Sequence, residues 1–180
     1  MNQVEMNKEA KLSAHFTLGE LTRSKSHPEI YNIPSRVHIE NLKRVCVWLE
    51  ALRELYNERY VLAGAGGQVP KVEVFGENFI SRPDPEEEPI VITSGYRSAE
   101  LNRKVGGVAT SNHLTGCAVD IRVAGKEQLI RYACILLDYA DETRQDFDEI
   151  LLEHGANGVI WLHFAVRAQG NRRKISFLKA

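Results

Sequence analysis

No stretch of this chain comes near the roughly 20 consecutive apolar residues that a membrane-spanning helix needs, so membrane insertion is not expected. Cysteine is scarce: Cys46, Cys117 and Cys134 are an odd, scattered set. They allow no disulfide framework and no paired-thiolate spacing for a structural zinc, and they suit a reducing interior. A net charge of −1 provides no overall field for nucleic acid or an anionic membrane, and neither partner is expected. Met1 to His15 is polar and lacks the apolar core of a signal peptide. Synthesis in the cytoplasm is therefore expected, with any action outside following release. No internal repeat is visible, and a monomer is expected.

What the chain does have is enough apolar content, 43%, for one ordinary core in 180 residues. Residues 1–15 read as a flexible arm and 16–180 as a single domain. Thr17 is an expected helix cap at the start of a short ordered segment. From Ser35 to about Tyr60, Val37, Ile39, Leu42, Val45, Cys46, Leu49, Leu52 and Leu55 recur at steps of two to four. That spacing predicts an amphipathic helix. Residues 63–89 are rich in glycine, proline and glutamate and read as an insertion-like loop, with a short strand expected at Val72–Phe75. Strands are expected over Pro89–Thr93, Ala118–Val123, Phe147–Glu153 and Val159–Val166, with an edge strand at Ile175–Leu178. Ser98 caps a brief helix ended by Gly106-Gly107, and Lys126 to about Tyr139 predicts a second long helix. Helices interspersed with strands and one hairpin give an α+β class with a small, mainly antiparallel sheet.

One constellation carries chemistry. Ser111-Asn112-His113 is followed by Gly116 and Asp120, and about forty residues later by Trp161-Leu162-His163. Two imidazoles and a carboxylate form the donor set of a catalytic zinc, which keeps a fourth position open for water. Gly116 allows a close turn between His113 and Asp120, and Ala118, on the strand face of Asp120, leaves room beside a metal. Ser111 is expected to support a ligand. His15, His27, His38 and His154 read as ordinary surface or capped residues. Arg167, Arg172, Arg173 and Lys174 read as a solvated basic edge rather than a contact for an anionic polymer.

Ser94-Gly95-Tyr96-Arg97-Ser98, Leu101-Asn102, Val105-Gly106-Gly107, the Ser-x-His-x6-Asp segment and Trp161-x-His163 resemble the zinc D-Ala-D-Ala carboxypeptidase family. That family includes vancomycin-resistance D,D-dipeptidases and phage L-alanyl-D-glutamate endopeptidases. The resemblance implies a hedgehog/DD-peptidase-like fold, Zn2+ held by His113, Asp120 and His163, and peptidoglycan stem peptides as substrate. It also implies that Arg97 stabilises the oxyanion, with Arg97, Ser94 and Ser111 contacting substrate. Tyr96 is expected to pack. Much of the family carries an acidic residue three positions before its last histidine, where this chain has Ile160. Glu153 is the expected general base in its place. Pairing Glu153 with Val159 would set it on the face of His163, and the same register would put Glu149 opposite His163 as the reserve. Either glutamate could instead orient a histidine. Carboxypeptidase and endopeptidase stay open, as does a zinc-bearing binding domain without turnover.

Overall fold

The computed structural model describes residues 6–62 and 86–179. Of the insertion-like stretch only residues 86–89 fall among these, so the strand expected at Val72–Phe75 lies outside the described residues.

The long helix α1 spans Arg36–Tyr56, and a wider π-type turn continues it over Asn57–Leu62. Pro34 and Ser35 define its start: the Ser35 hydroxyl accepts the His38 backbone N–H, and the His38 ring accepts the Ser35 N–H. This reciprocal cap satisfies two otherwise orphaned donors. The expected helix capped by Thr17 is instead a run of turns over 18–22. There the Glu20 carboxylate takes both the backbone N–H and the hydroxyl of Thr17, which closes one turn without propagating a helix. Helix α2 is short, Ala99–Lys104, capped by the Ser98 hydroxyl on the Leu101 N–H. Helix α3 runs further than its apolar periodicity suggested, over Lys126–Thr143.

Five strands follow the expected order: β1 (Ile92–Ser94), β2 (Ala118–Arg122), β3 (Glu149–His154), β4 (Ile160–Ala165) and β5 (Lys174–Lys179). They lie side by side as β1-β2-β4-β3-β5. Three of the pairings are antiparallel, but β5 runs parallel to β3, so the sheet is mixed. The cause lies between β4 and β5. The chain leaves β4, passes the end of β3 and turns back along the outer edge. Asp148 and Phe147 pin this path, accepting the backbone N–H groups of Lys174 and Arg173 on their carbonyls.

Helices α1 and α3 cover one face of the sheet. Val119, Ile121, Ile150, Leu152, Leu162 and Phe164 point into that layer against Trp48, Leu49, Leu52, Tyr132, Ile135 and Leu136. Each such apolar side chain withdrawn from water contributes about 1.5–3 kcal/mol before entropy is charged against it. Trp48, absent from the apolar set read from periodicity, is at the centre of this layer, with its ring centroid 5.3 Å from that of Phe164. Val37 was expected in the stripe but is 68% exposed; the buried residues of α1 begin at Leu42. With the helices on one side, the opposite sheet face is left for polar side chains.

Candidate metal centre

Strand alternation and register decide which side chains reach that second face. Asp120 on β2 lies directly opposite His163 on β4, and Leu151 of β3 lies on the far side of His163. Ser94 of β1 joins this row opposite Asp120. A bulge at Thr93 makes that possible: Ile92 pairs with Ile121 and faces the core, while Ser94, two residues on, pairs with Asp120 and faces the site. An unbulged strand would put both on one face.

His113 arrives from outside the sheet on a tight 3-10 turn, Asn112–Thr115. The Ser111 hydroxyl caps this turn by accepting the His113 backbone N–H at 3.3 Å. Gly116 ends it in the left-handed region at φ 71°, and a Cβ there would meet the His38 carbonyl oxygen at 2.7 Å. Both features call for glycine.

Three donor atoms converge. His113 Nε2 is 3.2 Å from Asp120 Oδ1, His163 Nδ1 is 2.9 Å from the same oxygen, and the two ring nitrogens are 3.3 Å apart. Ligands at 2.0–2.1 Å in a tetrahedral zinc shell are about 3.3 Å from one another. The donor spacing therefore fits three corners of such a shell. The ring of His113 is already oriented for it: Nδ1 donates to the Gly95 carbonyl at 2.7 Å, which leaves the Nε2 lone pair facing the cluster. Among the described residues this is the one group of three or more His, Cys, Asp and Glu side chains gathered closely enough to hold a metal ion, and all three are buried.

Charge is distributed unequally over the cluster. Burial pushes the His113 pKa down in spite of the Asp120 charge. Burial also opposes the His163 cation, but the hydrogen bond to Asp120 and the Glu149 carboxylate, 3.5 Å from Nε2, outweigh it and raise the pKa to about 9. Burial would raise the Asp120 carboxyl too; the facing histidines win and hold it well below the usual carboxylate range. Two groups thus carry opposite charge inside a largely closed site.

Arg97 reaches this carboxylate from the loop after β1. Its Nη2 donates to Asp120 Oδ2 at 2.5 Å and its Nε to the Ser94 hydroxyl at 2.8 Å. One carboxylate oxygen is therefore aimed at the histidines while the other is held by the guanidinium. Ser94 accepts from Arg97, and Ser111 is engaged with the turn rather than with an imidazole ring.

The hairpin register differs from the expected one by two residues. Its loop covers Gly155–Val159, so Glu153 pairs with Trp161 instead of Val159, and Glu149 pairs with Ala165 instead of His163. Because the change is even, both glutamates keep their side chains on the site face. They differ in environment. Glu149 accepts from Asn112 and pairs with Arg172 and Lys174, and its pKa falls to about 2, first through His163 and against burial. Glu153 is half-buried, and burial raises its pKa, with His163, Asp120 and Arg97 close enough to act on its charge. Ile160 sits at the start of β4 and packs against the core.

Other sequence candidates fall elsewhere. Tyr96 is buried and its ring stacks on that of His38 at 4.7 Å, a packing role. His15 pairs with Glu50, His27 with Glu29, and His154 ends β3 at the surface. The basic edge is internally neutralised: Arg167 and Arg172 pair with Asp148, Arg173 with Asp141 and Asp146, and Lys174 with Glu149. Asn112 and Asp148 escaped the sequence reading. Asn112, adjacent to His113, donates to both Asp148 and Glu149 and accepts from Arg167. Its neighbour in the motif was the only available signal.

The family model described as Peptidase M15 matches residues 84–141, a stretch that contains His113 and Asp120 and ends before His163. The match is to the family of zinc D-Ala-D-Ala carboxypeptidases that the motifs resemble, and it supports a metallopeptidase. No curated protein matches the chain. No helix among the described residues is long and apolar enough to cross a membrane.

Proposed function

We propose that this chain is a zinc-dependent peptidase that hydrolyses peptidoglycan stem peptides, as a D,D-carboxypeptidase or an endopeptidase, on a hedgehog/DD-peptidase-like fold. The observation that carries the reading is the convergence of His113 Nε2, His163 Nδ1 and Asp120 Oδ1 to within 3.3 Å of one another. These three residues would hold the ion. Zinc bound there would supply a Lewis acid and bring the pKa of water to about 7.

The remaining work belongs to side chains of the same sheet face. Glu153 is the general base: it takes a proton from the attacking water and hands it to the departing amine. Its support is position and a carboxylate left available, since Glu149 is tied to Asn112, Arg172 and Lys174. Arg97 fixes the unused oxygen of Asp120 and sets a positive charge beside the point where oxyanion charge develops. Ser94 and Ser111, at the two chain segments flanking the cluster, are the substrate contacts. The setting is the cell wall, reached after synthesis in the cytoplasm, with the protein acting as a monomer.

The test is mass spectrometry of purified muropeptides incubated with the zinc-loaded chain. Cleavage is expected, and Glu153→Ala should slow it by about 10²–10⁴-fold while zinc stays bound. Stoichiometric zinc without any cleavage would favour a binding domain without turnover, the reading to which Ile160 in the usual acidic position lends weight.

A further inference from the structure

The carboxylate of Glu149 is 13% exposed and meets only donors. On one side, Oε2 accepts from Asn112 Nδ2 at 3.0 Å and lies 3.5 Å from His163 Nε2. On the other, Oε1 is 2.9 Å from Arg172 Nη2 and 3.3 Å from Lys174 Nζ. His163 Nε2 is itself buried and has no hydrogen bond of good geometry, so Glu149 is the acceptor within its reach. The carboxylate therefore spans from the segment after β4, which includes Arg172 and Lys174, to both histidine-bearing segments: His163 directly and His113 through its neighbour Asn112.

We infer that Glu149 is a positioning residue for His163, held in place by the C-terminal strap at Arg172 and Lys174, and not a second catalytic base. The inference rests on the zinc-peptidase reading and deepens it. An imidazole rotated half a turn about its Cβ–Cγ bond puts Cδ2 where Nδ1 was and Cε1 where Nε2 was, so the flipped ring offers carbon at both positions. An acceptor at Nε2 selects the orientation in which Nδ1 faces Asp120 Oδ1, 2.9 Å away. Four donors around two oxygens also require an acceptor-only group; a carboxamide would turn its NH2 against at least one of them. The basic residues near the C-terminus thereby acquire a role inside the molecule: they hold Glu149 where His163 can use it.

The experiment measures zinc affinity of the full chain by chelator competition, together with the visible spectrum of the cobalt-substituted protein. Glu149→Ala and the isosteric Glu149→Gln are each expected to weaken zinc binding by about 10–100-fold and to alter the cobalt bands. Arg173→Ala, which removes the pairs to Asp141 and Asp146, should leave both readouts unchanged. Should Glu149→Ala fail to fold, Glu149→Gln carries the test. Wild-type zinc uptake with equal affinity and an identical cobalt spectrum in Glu149→Gln overturns this inference alone. A wild-type chain that takes up no zinc overturns the peptidase reading and the inference with it.

Discussion

Asp148 offers the cleanest measure of how the site is braced. Its side chain is fully buried, and donors crowd both oxygens: Arg172 Nε at 2.8 Å on Oδ1, and Asn112 Nδ2 and Arg172 Nη2, each at 2.7 Å, on Oδ2. Arg167 Nε adds a contact at 3.1 Å. Breaking a buried ion pair from one side costs about 3–5 kcal/mol. Here the side chains of Arg172 and Arg167 are 47% and 34% exposed, so water recovers part of that loss. Asp148→Asn is expected to cost about 2–3 kcal/mol, which lowers Tm by roughly 4–12 °C in a chain of this size. The pH dependence has a definite sign. Burial raises the Asp148 pKa, but Arg172, Asn112 and Arg167 outweigh it and bring it below the ordinary value. Its contribution is therefore fully present above the unfolded pKa of about 3.9 and is lost as pH falls through the lower folded value. Thermal melts followed by circular dichroism, at neutral and acidic pH, would read a gap between wild type and variant that closes on acidification. A gap below about 0.5 kcal/mol at neutral pH, or one that does not shrink in acid, refutes the reasoning.

Two further outcomes test how the loop after β1 serves the cluster. A Cβ added at Gly95 would lie 2.2 Å from the Leu21 carbonyl oxygen, a backbone atom that cannot swing aside, and the Gly95 carbonyl holds His113 Nδ1. Gly95→Ala should thus cost about 3 kcal/mol in urea denaturation and weaken zinc binding; wild-type values for both would show that the close approach yields cheaply. Arg97→Lys cannot reproduce a contact in which Nε meets Ser94 and Nη2 meets Asp120. With zinc saturating, it should lower kcat for peptide cleavage by about 10²-fold or more, and an unchanged kcat would confine Arg97 to holding Asp120.

Local signals in the chain were enough for α1, α2 and α3, the strand order along the sequence and the three converging donors, but they also suggested a helix after Thr17 where the chain forms turns. Capping by Ser35 and Ser98, 3.6-residue apolar spacing and the Ser-x-His-x6-Asp motif act over a few residues, and short-range sterics and hydrogen bonds read the same in any context. Peptide-level pattern also put Glu153 and Glu149 on the face of His163, because side-chain period in a strand is two and survived an even error in register. It could not distinguish their environments.

What tertiary structure alone decided is how those pieces meet. The parallel placement of β5 depends on Asp148 catching a returning segment some 24 positions later, a contact with no local trace. The bulge that turns Ser94 toward Asp120 exists only against β2. Trp48 becomes the middle of the core because Phe164, remote in sequence, lies beneath it. The split of labour between the glutamates has the same origin: Asn112, Arg172 and Lys174 converge on Glu149 from distant segments and leave Glu153 its basicity. Residue identity supplied the donors and acceptors, and long-range packing chose their partners, because a carboxylate acquires its role from whichever charges folding brings within a few ångströms.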